Sequence, residues 1–277
     1  MPPQLHYDII WDIFLCLDEK TLFTCLFLNK YCHEIAANFL WRDVWKHSES
    51  YSPNVSSKIL ITLNACLVKE AKQNKHSINY EKLNYASFCK VISIPDIDID
   101  PGLFKQLSIN CHNFQKLEVV IKESNVDWLI EFISLQNNLS NVQLIQNSDS
   151  KDWTRIISSL TIHFPRITKL YLAAIAENAP TLTFLENLKN LRVLYLSFDF
   201  KDAFCDFEKL KNVRFPQLKF LAFLSKCPKT EILIQFLKTN EKSLENLYIE
   251  KSDVNLEISN LCSKSNIKID EFCPKLR

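Results

Sequence analysis

Glycine is nearly absent from this sequence: its 277 residues include only Gly102. Average usage of about 7% would give roughly 19 glycines in a chain of this length. Phosphate-binding loops, dinucleotide-binding turns and the serine turn of hydrolases need backbone conformations that glycine adopts most easily. The composition therefore argues against the enzyme classes that such glycine-rich motifs define.

The sequence also lacks an excess of charge, a long apolar run and an export signal. Its 33 lysine and arginine residues nearly balance 32 aspartate and glutamate residues without a basic stripe, so we expect neither nucleic acid nor membrane as a partner. No apolar stretch reaches the ~18 residues of a membrane helix. Asp8, Asp12 and Asp18 interrupt the segment that a signal peptide would need to be apolar. We therefore expect a cytoplasmic or nuclear protein whose ten cysteines are reduced thiols.

The usual ligand patterns of metal sites are missing as well. There is no Cys-x-x-Cys motif, and the six histidines are scattered along the chain: His6, His33, His47, His76, His112 and His163. Cys111 and His112 are neighbours, but adjacent side chains of an extended segment point to opposite faces. We predict no metal site and no cofactor.

What the sequence does contain is, first, a helical pattern in residues 1–46. Apolar residues recur there at the three- and four-residue spacing of amphipathic helices, in three stripes: Ile9, Ile10, Ile13, Phe14 and Leu17; Thr21, Leu22, Cys25, Leu26 and Leu28; Ile35, Ala36, Phe39 and Leu40. These stripes predict a bundle of three short helices. Residues 47–90 predict a linker and a bridging helix, since a serine-rich stretch with Pro53 precedes an amphipathic segment at 58–74.

A second pattern repeats through residues 91–277. Leu-x-Leu-like pairs recur every 24 to 28 residues: Ile92/Ile94, Leu117/Val119, Val142/Leu144, Leu170/Leu172, Leu194/Leu196, Leu221/Phe223 and Leu247/Ile249. Helical spacings lie between the pairs, so each repeat predicts a short strand and then a helix. Stacked repeats of this kind form an α/β solenoid with parallel strands on the concave side and helices on the convex side. Residues 272–276 resemble the start of a repeat, and we expect the chain to end inside a repeat, with its last ~25 residues either fraying or completed by a partner.

The first 46 residues resemble the F-box. Four segments carry the resemblance: Asp8–Phe14, Leu17–Asp18, Thr21–Asn29 and Glu34–Trp41. The prolines stand at Pro2 and Pro3, ahead of the place where the family has Leu-Pro before its first helix. Together with the repeats, the chain resembles F-box proteins with leucine-rich repeats and, in composition and spacing, a lineage-expanded fungal group among them.

This resemblance implies a substrate-recognition subunit of an SCF-type ubiquitin ligase. In that family the F-box binds a Skp-type adaptor and through it a cullin, the repeats bind a target protein, and the subunit is not an enzyme. The implied adaptor-binding residues are Ile9, Ile10, Ile13, Phe14, Leu17, Leu22, Leu26, Leu28, Leu40 and Trp41. A repeat scaffold independent of any ligase is the alternative. A ligase that carries ubiquitin on Cys16 is disfavoured, since the end of the first helix and nearby Asp18 oppose a thiolate.

The residues between the paired leucines predict the target-binding surface. In a strand they point away from the core, so stacking forms one concave column from Glu118, Gln143, Tyr171, Tyr195, Ala222 and Tyr248. Tyrosine also favours strands without any binding role. Because aromatic residues dominate interface hot spots, we nevertheless predict a target site formed by Lys169, Tyr171, Tyr195, Phe220, Asn246, Tyr248 and Glu250.

Overall fold

The computed structural model describes most of the N-terminal helices and of the repeat region. The described residues are 7–43, 88–94, 105, 107–109, 111–146, 153–174, 180–200, 202–249 and 255–270. The predicted bridging helix at 58–74, Glu250 and residues 271–277 lie outside them. The described part combines helices with one all-parallel sheet, an α/β architecture compatible with the predicted solenoid.

Three short helices form the N-terminal part: α1 (Tyr7–Leu15), α2 (Glu19–Cys25) and α3 (Lys30–Arg42). Side-chain caps fix where α2 and α3 begin, because the carboxylate of Asp18 and the amide oxygen of Asn29 each accept a backbone N–H of the first turn at 2.8 Å. The buried members of the bundle core are few: Phe14, Leu22, Cys25, Ile35 and Ala36. Helices this short therefore leave many apolar side chains outside the core.

Eight parallel strands form one sheet in chain order. They are β1 (Val91–Ile94), β2 (Lys116–Ile121), β3 (Asn141–Gln146), β4 (Lys169–Ala174), β5 (Val193–Phe198), β6 (Phe220–Phe223), β7 (Asn246–Tyr248) and β8 (Lys268–Ile269). The first residues of successive Leu-x-Leu-like pairs are direct partners across the sheet, from Ile92 to Leu247. The seven predicted strand positions are confirmed, and the alternation of a strand places the paired residues on the core side.

Helical segments lie in the connections between the strands. The described α-helices there are α4 (Val126–Ser134), α5 (Trp153–Leu160), α6 (Thr230–Asn240) and α7 (Leu256–Lys264). Short 3-10 turns precede α4 at Glu123–Asn125 and follow α5 at Thr161–His163. No helix in these described ranges has both the length and the hydrophobicity of a membrane span.

Two connections depart from the predicted strand-then-α-helix unit. Between β4 and β5, and between β5 and β6, the described residues form 3-10 helices, Leu182–Asn187 and Cys205–Leu210. Leu182 and Leu185 are buried within the first of these helices, and buried Leu188 and Leu191 continue the three-residue spacing after it ends. A 3-10 helix has three residues per turn, so this spacing places Leu182 and Leu185 on the same face.

A phenylalanine cluster packs the later repeats together. The ring centroid of Phe207 lies 5.7 Å from that of Phe223 on β6 and 5.2 Å from that of Phe236 on α6. Phe204 adds a contact of 5.4 Å to Phe223, and Phe198 one of 5.3 Å to Phe204. Large rings at these distances fill the volume that the thin 3-10 connection leaves between sheet and helix.

Buried amide side chains connect neighbouring repeats at the turn that follows a helix. Gln136 donates from Nε2 to the Cys111 carbonyl at 2.9 Å, and its Oε1 accepts the Phe114 amide at 3.2 Å. Asn240 repeats this arrangement, because its Oδ1 accepts the Phe215 amide at 2.8 Å. Each side-chain amide thus forms hydrogen bonds with buried backbone groups of the preceding repeat. Without these bonds the backbone groups would be buried without partners, which would destabilise the fold.

His163 occupies the corresponding turn after α5. Its Nε2–H donates to the Ile133 carbonyl at 2.8 Å, and its buried Nδ1 has no hydrogen-bond partner. Burial lowers the pKa of His163, because the charged imidazolium would lose its hydration there. The ring is therefore a neutral link between two repeats.

The helices join the sheet at its β1 edge. The Lys90 amide donates to the Arg42 carbonyl at 2.9 Å, and Asp43 forms a parallel bridge with Val91. Trp41, near the end of α3, packs against the hydrophobic core of the repeats. The end of α3 is therefore part of the first layer of the solenoid.

At the other end, the structure differs from the expectation that the last ~25 residues fray. Within 255–270, α7 and β8 both form, and β8 pairs with β7 through Asn246 and Lys268. Ile258, Cys262 and Ile267 are buried in the common core. This burial explains the order, since one more helix and strand cover the apolar face of the preceding repeat.

Candidate interaction surfaces

The N-terminal helices expose an unusual number of large apolar side chains. In the described part of the chain eleven such residues are exposed, and seven of them lie within residues 7–43. We call these seven the exposed apolar set: Ile9, Ile13, Leu15, Phe23, Phe27, Leu28 and Tyr31. Phe27 is 76% exposed, and its ring contacts that of Phe23 at 5.6 Å. Concentrations of exposed apolar residues usually mark interaction sites.

The predicted adaptor-binding residues are divided between surface and core. Ile9, Ile13 and Leu28 are exposed, whereas Phe14 and Leu22 are buried. The remaining members are half-buried, namely Ile10, Leu17, Leu26, Leu40 and Trp41. Phe14 and Leu22 are therefore unavailable to a partner, and Trp41 packs against the hydrophobic core of the repeats.

Four members of the exposed apolar set were missed by sequence reasoning: Leu15, Phe23, Phe27 and Tyr31. They lie off the helical stripes from which the sequence predicts the interface. The stripes supply every buried member of the bundle core, whereas these four residues lie outside the stripes, so an apolar residue off the stripe was the available signal of exposure.

The strand register produces the predicted column of the concave face. The column runs through direct partners, from Ser93 on β1 through Glu118, Gln143, Tyr171, Tyr195, Ala222 and Tyr248. A second column beside it contains Lys116, Asn141, Lys169, Val193, Phe220 and Asn246. The described members of the predicted target site therefore lie together on one surface.

An aromatic ladder crosses this surface. The ring of Tyr195 lies 6.0 Å from that of Tyr171 and 5.1 Å from that of Phe220. Tyr195 itself is only 4% exposed, and Ala222 beyond it is fully buried. Tyr195 thus supports its neighbours, and the surface available to a partner comes from half-buried Tyr171, Phe220 and Tyr248.

The charges of strands β2 to β4 lie next to the ladder. Lys116 forms a salt bridge with Glu118 at 2.9 Å, and Glu118 also accepts a hydrogen bond from the Ser93 hydroxyl. Lys169 places its Nζ 5.7 Å from the centroid of the Tyr195 ring. Burial lowers the pKa of Lys169, the nearby Lys116 lowers it further, and Glu118 raises it.

The structure also locates Cys16 and the other described side chains that were considered for catalysis or metal binding. Cys16 is exposed directly after the end of α1. All eight cysteines in the described ranges are free thiols. Over the same ranges, no three histidine, cysteine, aspartate or glutamate side chains are grouped so that they could hold a metal ion.

Comparisons with known proteins give little further information. No protein-family model matches the chain, and no curated protein does. Among solved structures, the chain is similar to one in the crystal structure of the Rad7 and Elc1 complex in yeast, with 11% identity over 90% of this chain and 81% of that chain. The TM-score of this superposition is 0.28, a likeness too weak to carry an inference about fold or function.

Proposed function

We propose that the protein is a substrate-recognition subunit of an SCF-type ubiquitin ligase. Its N-terminal helices dock on a Skp-type adaptor, which links them to a cullin, and its concave sheet face binds a target protein. The observation that carries the proposal is the exposed apolar set on a unit whose sequence resembles the F-box. The second support is a repeat region that presents one continuous column of side chains.

The size of the helical unit supports a docking role for its apolar residues. Its buried core has five members, fewer than the seven of the exposed apolar set. An isolated bundle gains nothing from leaving Phe27 and Leu28 in water, because burial of such side chains stabilises by about 1.5–3 kcal/mol each. A partner surface that covers them would recover that free energy.

We further propose that the subunit has no catalytic cysteine of its own. Cys16 is exposed directly after the C-terminal end of α1, the end of a helix that carries partial negative charge. Asp18 places a carboxylate two residues further along the chain. Ubiquitin transfer would then depend on a separate conjugating enzyme brought by the cullin.

A repeat scaffold without a ligase is the competing function. It would have the same sheet and the same concave surface, so the repeat region does not separate the two. Only binding of the adaptor by residues 7–43 distinguishes them. The decisive experiment therefore addresses the exposed apolar set.

The test compares two isoleucine substitutions of equal chemistry. Ile13 on α1 is 47% exposed, and Ile162 in the repeat region is 53% exposed. We expect Ile13→Asp to lose binding to a purified Skp-type adaptor and Ile162→Asp to bind it as the wild type does. Binding is measured by isothermal calorimetry on the full chain, with circular dichroism to check that both variants are folded.

Two results would reject this proposal. A folded wild-type chain that does not bind the adaptor would leave the scaffold function. Equal loss of adaptor binding in both variants would show that the loss is not specific to the N-terminal helices.

A further inference from the structure

Lys169 is a cation on the concave face for which the described part of the chain supplies no anionic partner. It lies on β4 between Asn141 and Val193, both neutral, in the strand register. Its ammonium group contacts the Tyr195 ring at 5.7 Å, and in the described residues it has no carboxylate at salt-bridge distance. A half-buried lysine normally finds such a partner, because its charge loses hydration on burial.

The nearest charges do not neutralise it. Lys116 and Glu118 pair with each other at 2.9 Å. They belong to β2, two strands away from Lys169, which corresponds to about 10 Å at the usual strand spacing. Since that pair is neutral as a whole, the strand residues of β2 to β4 present one net positive charge to the concave side.

Apolar ring surface lies directly beside this charge. Tyr171 lies on the same face of β4 as Lys169, and the contacting, tilted rings of Tyr195 and Phe220 continue from it across β5 and β6. A surface depression between β2, β3 and β4 also borders Lys169 and Tyr171. A partner therefore meets one cation, a recess and an aromatic platform together.

We infer that the concave face binds a peptide segment in which a carboxylate side chain pairs with Lys169 and a neighbouring apolar side chain packs on Tyr171 and Phe220. This inference rests on the proposed target-binding role of that face. A carboxylate matches the single charge, whereas a phosphate carries about −1.5 to −2 and is usually held by arginine clusters. The strands of the described sheet contain no arginine.

The test uses a display library of random linear peptides, selected on the immobilised full chain. We expect the wild type to enrich aspartate or glutamate next to an aromatic or aliphatic residue, and Lys169→Glu to enrich lysine or arginine instead. Peptides selected by the wild type should lose roughly tenfold to a hundredfold in affinity for Lys169→Met. The control is Lys238→Glu, which makes the same charge change at an exposed position of α6 and should bind like the wild type.

Three results would overturn the inference. One is a wild-type selection without carboxylates, and another is equal affinity of the selected peptides for Lys169→Glu and wild type. The third is tighter binding when phosphoserine replaces the selected carboxylate. Adaptor binding is measured on the same variants and should not change with Lys169, so failure of the ligase proposal and failure of this inference are seen in separate measurements.

Discussion

Replacement of Asn240 by alanine tests how strongly the turn amides hold the repeats together. The side chain is 3% exposed and makes three hydrogen bonds. Its Oδ1 accepts the Phe215 amide at 2.8 Å, and its Nδ2 donates to the carbonyls of Val213 and Phe236 at 3.0 Å each. At about 1 kcal/mol per bond, Asn240→Ala should lower the free energy of unfolding by about 3 kcal/mol. The stranded Phe215 amide, buried without a partner, would add to this loss.

Asn190→Ala is the matched control. Asn190 also links neighbouring repeats, because its Nδ2 donates to the Pro165 carbonyl at 2.8 Å, but it is exposed and water can replace the bond. We expect a loss below about 1 kcal/mol for this variant. Urea unfolding followed by circular dichroism gives both values, and hydrogen exchange of the Phe215 amide gives the local effect. Equal stability of the two variants, with unchanged exchange at Phe215, would refute the assignment.

Three further predictions follow from buried or exposed groups. Burial holds the pKa of His163 below its ordinary 6.5, so the unfolded chain takes up a proton before the folded chain does as pH falls. The free energy of unfolding should therefore decline below about pH 6.5, by up to about 1.4 kcal/mol per pH unit. Urea unfolding at several pH values should show a flatter pH dependence for His163→Gln. Tyr195→Ala should lower the free energy of unfolding by about 3–5 kcal/mol, and Tyr171→Ala should lower it less because Tyr171 is only half-buried. Thermal and urea unfolding of the two variants would measure this difference. Cys16→Ser should leave any reconstituted ubiquitination unchanged, and a thioester on the wild type that disappears in this variant would contradict it.

The strand positions were predictable because the repeat encodes them locally. Each Leu-x-Leu-like pair fixes both the position of a strand and which of its faces is buried, and identical registers then align Ile92 with Leu117 and each later partner. The concave column followed from the same alternation. β8 was missed, because Leu247 pairs with Ile269 over a shorter interval than the 24 to 28 residues of the other repeats.

Other features depend on contacts that the repeat pattern does not encode. Gln136, His163 and Asn240 are single polar residues in helix-ending turns, and only the fold shows that each is buried against the preceding repeat. Their spacing was a usable signal, since each stands three or four residues before an apolar residue that itself lies three residues ahead of a Leu-x-Leu-like pair, namely Leu139, Ile167 and Leu244. Tyr195 was placed correctly in its column, but its burial depends on the rings stacked around it.

The junction between α3 and β1 bears on how this chain can change in length. Arg42 and Lys90 stand one hydrogen bond apart, although residues 44–87 lie between them in the chain. The described residues on either side of that segment, Asp43 and Lys90, therefore meet at the β1 edge of the sheet. Closing a chain excursion costs only about 0.6 kcal/mol more for each doubling of its length. We therefore expect the Arg42–Lys90 hydrogen bond, and with it the position of α3 beside β1, to depend little on the length of chain between residues 43 and 88.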